Sequence, residues 1–408
     1  MSYDAFAKRI LKEALITDPW LDGEPRFDPR PVVLSRAEAR ELASIGERIC
    51  ALYNDAFLII DEQEALATSF LGLTATQVAM WKNSRALWHG IARADVFRTK
   101  EGWAIAELNS DTPTGSAEAI TLGNIVQCKA KQTNPNVGLE ARIATTFEHC
   151  AKTLLGDSLP KRVGIVYPTE FTEDLSLIRL YKRMFESRGY AVSLGSPFNL
   201  REEDGQLFLF DEPVSILLRH YKTDWWSERS SSWIDEAVPD TEPLLEPLSH
   251  VFRAIAAGKL AVVNPFGSVV TQNKRMMAFF WEHIHRFSES AQETIKAFVP
   301  VTFRLESLHA ELLRAKRAEW VLKSAYGAEG DQVVIGALTD EATWNESLEK
   351  ARPGLWIAQR YFDVEVDSEG MNVNLGVFVV GGKSAGLFAR KQKGPTDGSA
   401  LSVPVVIS

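Results

Sequence analysis

The chain has 408 residues, a formal net charge of -9, 45% hydrophobic residues and 24% charged residues. This length predicts about two or three domains, and the negative charge argues against a nucleic-acid backbone as the main partner. No apolar run reaches the roughly 18 residues of a membrane span, so we expect no membrane partner. Cys50, Cys128 and Cys150 are few and widely spaced, which is typical of reduced cysteines in a cytoplasmic protein.

The first part of the chain, residues 1–158, is predicted to be mainly helical as far as residue 90. Charged amphipathic runs such as Ser35–Ser44 have the helical period. A β-hairpin follows, and a helix over roughly 138–155 completes this part.

The predicted hairpin consists of two segments, 91–97 and 105–113, in which apolar residues alternate with polar ones. Alternation of this kind predicts half-buried strands. The polar segment between them ends in Gly102, which suits a short connection that folds about Lys100–Glu101.

Acidic and amide side chains gather on one face of this hairpin. Arg93 and Asp95 are two residues apart, as are Glu107 and Asn109, and such pairs share a strand face. Folding the hairpin brings Asp95 opposite Glu107, where two carboxylates repel each other unless a cation lies between them. These oxygens are ligands that magnesium accepts together with nucleotide phosphates, and Arg93 could hold a phosphate or carboxylate. The pattern predicts a nucleotide–magnesium site.

Carboxylates on a hairpin are also common on an ordinary solvated face. The period of two places Trp103 and Ile105 on the face of Glu107 and Asn109. The opposite face is predicted to carry Ala104, Ala106 and Leu108. Because neither face looks freely solvated, we expect the acidic face to be the wall of a cleft.

Residues 159–265 have the pattern of a parallel α/β unit. A strand, a helix and further strands are predicted in order at 162–167, 175–186, 189–194, 214–219 and 261–265. Strands that alternate with a helix at this spacing favour a small parallel sheet.

Residues 266–408 begin with a helix and continue as a β-rich region. Lys323 lies on a predicted strand, a loop with Gly327 and Gly330 follows, and a second strand leads to Ile335. A glycine-bearing hairpin can cover phosphates while the strand lysine reaches them, although most such loops are only turns. Lys274 precedes a predicted helix, where anions are favoured.

The strand that contains Gln359, residues 356–362, has two interpretations. Its backbone could pair with the edge of an adenine ring, or the strand could simply be part of a core sheet.

Taken in order, these segments resemble the synthetase domain of the glutathionylspermidine synthase family, a circularly permuted ATP-grasp family. The resemblance covers roughly residues 80–390. The motifs that carry it are Arg93-x-Asp95, Glu107-x-Asn109-Ser-Asp111-Thr-Pro, Lys222-Thr-Asp-Trp225-Trp-Ser-Glu228, Asn273-Lys274, Lys323 with Gly327-Ala-Glu-Gly330, Gln359 and Gly382-Lys-Ser-Ala-Gly386-Leu-Phe-Ala-Arg390.

This resemblance implies an α/β (α+β) fold in permuted order. Residues 1–158 would hold the helical N-terminal part and the metal-ligand subdomain of the ATP-grasp fold. Residues 159–265 would form a pre-ATP-grasp βαβ domain, and residues 266–408 the nucleotide lid and the return to the ATP-grasp sheet.

The resemblance also implies a role for each site residue. Arg93 would be the catalytic residue that stabilises the transferring phosphoryl group. The implied magnesium ligands are Asp95, Glu107 and Asn109. The implied nucleotide-binding residues are Lys274, Lys323, Gly330, Asp331 and Gln359. The implied substrate-binding residues are Thr112, Glu173 or Asp174, Lys222 and Arg390, although the basic run from Arg390 to Lys393 could equally be a surface cluster.

The implied activity is an ATP-dependent carboxylate–amine ligase that uses ATP and Mg2+ and forms an amide through an acyl phosphate. Its substrates would be a small-molecule or short-peptide carboxylate and an amine. Relatives usually have Pro after the lid lysine and Arg in the loop, where this chain has Ser324 and Ala328. This departure keeps two alternatives open: a nucleotide- or peptide-binding homologue with altered catalysis, and an ATP-dependent phosphoryl transferase. The sequence leaves the oligomeric state open.

Overall fold

The computed structural model describes residues 2–84, 90–157, 160–169, 174–227, 244–327, 332–352 and 354–408. No helix within these ranges is both long enough and apolar enough to cross a membrane. The α-helices are α1 (Tyr3–Lys12), α2 (Arg36–Glu62), α3 (Ala65–Ser69), α4 (Ala75–Ser84), α5 (Ser116–Ile125), α6 (Leu139–Leu155), α7 (Leu175–Glu186), α8 (Thr223–Ser227), α9 (Leu245–Ala256), α10 (Ser268–Thr271), α11 (Arg275–Glu282), α12 (Glu289–Phe298), α13 (Ala310–Ala315) and α14 (Glu341–Ala351).

The strands belong to several separate sheets. In chain order they are β1 (Trp20–Leu21), β2 (Glu24–Pro25), β3 (Val32–Leu34), β4 (Ile91–Thr99), β5 (Gly102–Asn109), β6 (Arg162–Val166), β7 (Ala191–Gly195), β8 (Leu200–Glu203), β9 (Gln206–Leu209), β10 (Glu212–Val214), β11 (Ile216–Arg219), β12 (Ala261–Val263), β13 (Thr302–Arg304), β14 (Trp320–Ser324), β15 (Val333–Ile335), β16 (Trp356–Arg360), β17 (Asn372–Val380), β18 (Lys383–Gln392), β19 (Leu401–Val403) and β20 (Val405–Ile407).

The predicted hairpin forms two strands of an antiparallel five-stranded sheet with the order β19-β18-β17-β4-β5. Thr99 pairs with Gly102, so the chain reverses at Lys100–Glu101 as expected. Asp95 pairs with Glu107, which confirms the predicted register of the two carboxylates.

The regular pairing is interrupted directly after the two carboxylates. Asp95 pairs with Glu107 but Val96 pairs with Ile105, so Ala106 is an extra residue in β5. An extra residue in one strand is a β-bulge, and it shifts the alternation of side chains along that strand.

Because of this bulge, the predicted division of side chains between the two faces of β5 is wrong. Trp103 and Ile105 lie with Leu108 in the main apolar core, whereas Glu107 and Asn109 stand opposite Asp95 and Arg93 on the other face. The physical reason is that the count of two residues per repeat fails across the bulged residue.

Helix α2 covers the apolar face of this sheet. It begins with a capping box in which Ser35 and Glu38 bond each other's backbone N–H groups. Gly46 allows α2 to approach β17 closely, since a Cβ atom at residue 46 would lie 2.7 Å from Cγ1 of Val377. The core between the helix and the sheet also includes residues of α11 and α12.

The second sheet has the order β12-β11-β6-β7, and all of its pairings are parallel. Helix α7 connects β6 to β7, so the predicted parallel α/β unit is confirmed. The antiparallel meander β8-β9-β10 between β7 and β11 was not predicted. Its strands have three or four residues each, too few for alternation to identify them.

The third sheet has the order β13-β16-β14-β15 and contains Lys323 on β14. Strands β14 and β15 are antiparallel, which confirms the predicted strand–loop–strand arrangement. Strand β16 is internal, with Gln359 paired to Thr302 on one side and Val321 on the other. The backbone of Gln359 is therefore paired within the sheet on both sides.

A buried amide joins the first two sheets. Asn264, just after β12, donates from Nδ2 to the carbonyl oxygens of Ile91 and Asp111, both at 3.0 Å. Its Oδ1 accepts from the backbone N–H of Ile91 at 3.0 Å. One side chain thus fixes the start of β4 and the turn after β5 against the parallel sheet.

Replacing Asn264 with Ala should lower the free energy of unfolding by about 3 kcal/mol, because buried backbone groups would lose their partners. Urea denaturation measures this change. Asn83→Ala, at an exposed position on α4, serves as the control and should stay within about 0.5 kcal/mol of wild type. Equal midpoints for the two variants would contradict the assigned role of Asn264.

Candidate active site

The acidic face of the hairpin contains a buried ion pair. Arg93 donates from Nε to Oδ1 of Asp95 at 2.6 Å and from Nη2 to Oδ2 at 3.0 Å. Burial disfavours the charge on Arg93, but Asp95 outweighs it and the pKa of Arg93 is raised. Gly376 leaves room for the Arg93 stem, since a Cβ atom there would lie 2.7 Å from its Cδ.

The second carboxylate is neutralised from another element. Lys274, at the start of α11, places Nζ 3.2 Å from Oε2 of Glu107. Burial raises the pKa of Glu107, but Lys274 and then Lys323 outweigh it and bring the pKa to about 2. Asn109 donates from Nδ2 to Oε1 of Glu107 at 3.1 Å. Glu107 is therefore ionised at neutral pH.

Lys323 reaches the same region from the third sheet. Its Nζ donates to Oε1 of Gln359 at 2.8 Å and to the carbonyl oxygen of Ala106 at 3.1 Å. Ala106 is the bulged residue, so the irregularity in β5 supplies an acceptor for this lysine. Burial is the main cause that lowers the pKa of Lys323 to about 8, against the opposing charge of Glu107.

Arg390 on β18 also belongs to this cluster. Its Nη2 lies 3.4 Å from Oδ2 of Asp95. Among the residues expected at the site from the sequence, the structure brings one group together around the hairpin: Arg93, Asp95, Glu107, Asn109, Lys274, Lys323, Gln359 and Arg390.

A second group of expected residues lies at the carboxyl end of β11. Thr112 lines a small cavity together with His220 and Asn264. His220 Nε2 lies 2.9 Å from Oδ2 of Asp174. Burial raises the pKa of Asp174, but His220 outweighs it and the pKa is lowered. Lys222 places its Nζ 4.6 Å from the centre of the Trp225 ring.

Three expected residues, Glu173, Gly330 and Asp331, lie outside the described residues. The described start of the lid loop is nevertheless tied to the site. Lys274 Nζ donates to the carbonyl oxygen of Gly327. Ser324 Oγ accepts from the backbone N–H of Gly327 at 3.0 Å, so the residue that replaces the usual Pro shapes this turn.

Asp111 connects the two groups, although it was not among the site residues predicted from the sequence. Its Oδ1 accepts from Nη2 of Arg219 at 2.5 Å and from Oγ of Ser268 at 2.7 Å. Its Oδ2 accepts from the backbone N–H of Thr223 at 2.8 Å and from Thr223 Oγ1 at 3.1 Å. Gln272 Oε1 accepts from the backbone N–H of Asp111 at 3.1 Å.

The available signal for Asp111 was its position two residues after Asn109, in the polar segment that follows β5. Buried carboxylates need several partners, and those partners come from distant parts of the chain. Arg219 and Ser268 could therefore not be identified as its neighbours from the sequence.

The arrangement offers two kinds of chemistry. The cations Arg93, Lys274 and Lys323 can bind phosphate oxygens. Asp95 and Glu107 can bind a hard cation, and no third His, Cys, Asp or Glu joins them within the described part of the chain. Turning the Asn109 amide would add its Oδ1 as a neutral oxygen ligand.

Comparisons with known proteins agree with this description. A family model described as glutathionylspermidine synthase pre-ATP-grasp matches residues 17–408, and the chain belongs to that family. The expected fold class, an α/β ATP-grasp fold with a pre-ATP-grasp domain, is confirmed. No curated protein matches the sequence.

Two solved structures are similar to this chain. A glutathione synthetase-like effector from Globodera pallida, in its apo form, has 11% identity and a TM-score of 0.60 over 100% of this chain and 96% of that chain. A putative gamma-glutamylcysteine synthetase from Methylobacillus flagellatus has 11% identity and a TM-score of 0.48 over 87% and 85% of the two chains. At this identity the first similarity establishes the fold alone.

Replacing Asp111 with Ala should lower the free energy of unfolding by about 3 to 5 kcal/mol, because Arg219 would be left as an unpaired buried charge. Thermal and urea denaturation measure the loss.

Asp18→Ala is the matched control for this variant. Asp18 also pairs with an arginine, Arg26, at 2.5 Å, but its side chain is 56% exposed. Removal of this exposed pair should cost at most about 1 kcal/mol. Similar losses of unfolding free energy in Asp111→Ala and Asp18→Ala would contradict a special role for the buried pair.

Proposed function

We propose that this chain is an ATP-dependent carboxylate–amine ligase that forms an amide through an acyl phosphate. Membership in a synthetase family supports an ATP-dependent ligase. The observation that carries the proposal is the convergence of Lys274 and Lys323, from two different elements, on the carboxylate side of the hairpin. Both lysines are buried, and a buried pair of cations beside ionised acids suits a polyphosphate with its metal ion.

The nucleotide would lie between the third sheet and the hairpin. Lys274 and Lys323 would bind its phosphates, with Gln359 orienting Lys323 through the 2.8 Å hydrogen bond. In this proposal Gly330 and Asp331 belong to the lid that closes over the nucleotide and excludes water from the acyl phosphate. Arg93 would stabilise the charge on the transferring phosphoryl group.

The donor set fits magnesium. Asp95 and Glu107 face each other in register, and Asn109 contacts both carboxylates through its amide group, at 3.5 Å and 3.1 Å. When bound, Mg2+ would supply electrostatic neutralisation of the phosphate oxygens. Lys274 helps to hold Glu107 ionised, in the protonation state that a metal ligand requires, and Arg93 pairs with Asp95.

The carboxylate and amine substrates would lie between the hairpin and the carboxyl end of the parallel sheet. Arg390, whose Nη2 lies 3.4 Å from Oδ2 of Asp95, would pair with the substrate carboxylate. Thr112, Asp174 and Lys222, with Glu173 just before Asp174, would contact these substrates. The proposed division into residues 1–158, 159–265 and 266–408 puts the reaction centre where all three parts meet.

A hydroxylamine trap tests the activity without knowledge of the amine. Short peptides with free carboxylates, glutathione among them, are incubated with ATP, Mg2+ and hydroxylamine. We expect a hydroxamate and ADP in equal amounts for at least one acid. Lys274→Met and Asp95→Asn should each lower both products by about 100-fold or more, because phosphoryl transfer loses its charge stabilisation.

Asp18→Asn is the control here, since Asp18 is exposed and unconnected to the site. Nucleotide binding without ADP release would support the binding-only homologue instead. A phosphorylated product without hydroxamate would support the phosphoryl transferase.

The pKa of about 8 for Lys323 predicts a pH dependence of nucleotide binding. Above that pH the free protein loses the positive charge, so affinity for a non-hydrolysable ATP analogue should fall by about tenfold between pH 7 and pH 9. Isothermal titration calorimetry measures the affinity. Lys323→Arg keeps its charge over this range and should show a flatter pH dependence. If affinity depends on pH in the same way in the wild type and in Lys323→Arg, the role of Lys323 is contradicted.

A further inference from the structure

Thr302 lies next to the residues that hold Lys323 in the candidate site. It is the first residue of β13 and pairs directly with Gln359 on β16. Gln359 also pairs with Val321 on β14, and Lys323 is two residues further along that strand. Paired residues share a face of a sheet, as do residues two apart on one strand. Thr302, Gln359 and Lys323 therefore stand on the same face of the third sheet.

A series of hydrogen bonds connects these three side chains. Lys323 Nζ donates to Oε1 of Gln359 at 2.8 Å, and Gln359 Nε2 donates to Oγ1 of Thr302 at 3.0 Å. Thr302 Oγ1 in turn donates to the carbonyl oxygen of Pro300 at 2.7 Å. All three side chains are buried, and hydrogen bonds in a low-dielectric interior are electrostatically stronger than in water.

The two ends of this series allow only one orientation of the Gln359 amide. An ammonium group has donors and no acceptor, so Lys323 must face the amide oxygen. Thr302 uses its single hydroxyl proton on the Pro300 carbonyl oxygen, so its own oxygen can only accept from the amide nitrogen. Gln359 Nε2 also lies 3.5 Å from Sδ of Met277. The amide is thus fixed from both of its ends.

Lys323 has one donor left for a ligand. Its ammonium group carries three N–H donors. One donates to Gln359 and one to the carbonyl oxygen of Ala106, at 3.1 Å. No third acceptor for Lys323 is found among the residues that the structure describes. The two bonds fix the position of Nζ, and the tetrahedral geometry of the nitrogen directs the third N–H away from both acceptors.

We propose that Thr302 is a positioning residue for nucleotide binding: through Gln359 it holds the Lys323 ammonium group so that the remaining N–H faces a phosphate oxygen of the nucleotide. This assignment rests on the proposed function, in which Lys323 binds the phosphates. A lysine has a flexible four-carbon stem, and fixing its ammonium group before the nucleotide arrives reduces the conformational entropy lost on binding. Thr302 does not touch the nucleotide and acts only through the Gln359 amide.

Calorimetric titration of a non-hydrolysable ATP analogue with Mg2+ tests this role. Thr302→Val replaces the hydroxyl group by a methyl group, so Gln359 loses the acceptor that fixes it. The Pro300 carbonyl oxygen keeps a second donor, Trp281 Nε1 at 3.0 Å. The affinity should fall by about three- to tenfold, the range that loss of one hydrogen bond typically produces.

Two further substitutions of Thr302 separate the hydroxyl group from the size of the side chain. Thr302→Ala also lacks the hydroxyl group and should show a loss of affinity similar to that of Thr302→Val. Thr302→Ser keeps the hydroxyl group but loses a buried methyl group. Its affinity should stay within about twofold of the wild type, because the bond to Gln359 is retained.

Thr294→Val on α12 is the matched control. Thr294 is also buried, and its Oγ1 likewise donates to a carbonyl oxygen, that of Ser290 at 2.9 Å. It also accepts from a side-chain nitrogen, Nε of Arg48, at 3.1 Å. The same substitution there removes the same kinds of bond outside the series that leads to Lys323, so the nucleotide affinity should be unchanged. Equal losses of affinity in Thr294→Val and Thr302→Val would overturn the proposal.

A double-mutant cycle tests whether Thr302 acts through Gln359. Gln359→Met keeps the length of the side chain but removes the amide. In that background Thr302→Val should lower the affinity by less than about twofold further, since the group that Thr302 positions is already absent. The proposal is overturned if the two single losses multiply in the double variant, or if Thr302→Ser loses as much affinity as Thr302→Val.

The ligase function and the role of Thr302 fail in different ways. If the wild type binds the nucleotide but gives no ADP and hydroxamate in the trap, the ligase function fails, and the affinities of the variants still decide the role of Thr302. If ADP and hydroxamate form but Thr302→Val binds the nucleotide like the wild type, only the assignment of Thr302 fails. A wild type that binds no nucleotide overturns both.

Discussion

Two carboxylates that face each other across one pair of strands determine the arrangement of charge in this protein. Asp95 and Glu107 are in register on β4 and β5, and like charges this close must be neutralised when they are buried. The protein neutralises them from separate elements, with Arg93 on the same strand and Lys274 at the start of α11. In the proposed ligase, the cations that would bind the nucleotide are thereby held in place before any ligand binds.

The bulge at Ala106 is part of this arrangement. It turns Trp103 and Ile105 into the core while Glu107 stays on the polar face. It also supplies the carbonyl oxygen that accepts from Lys323. A regular strand would have placed an aromatic and an aliphatic side chain beside the carboxylates, so one extra residue separates the core from the site.

The link between the site and the parallel sheet depends on Asp111. Its partners Arg219, Ser268 and Thr223 come from three different elements, and Asn264 and Gln272 hold its backbone. A buried carboxylate with this many partners fixes the relative position of the sheets more strictly than apolar packing does.

The sequence alone determined the local features. Alternation placed β4 and β5, and the polar turn at Lys100–Glu101 set the register of Asp95 and Glu107 because two-residue connections leave little freedom. The parallel unit was predicted because its strands alternate with a helix at the spacing of a βαβ unit. The order of the motifs also pointed to the family.

Only the tertiary structure decided which residues contact one another over long distances. The bulge at Ala106 shows in no local pattern, and the partners of Asp111 are 108 or more residues away in the chain. These contacts depend on how separate sheets pack, and the period of a strand or helix contains no information about that packing.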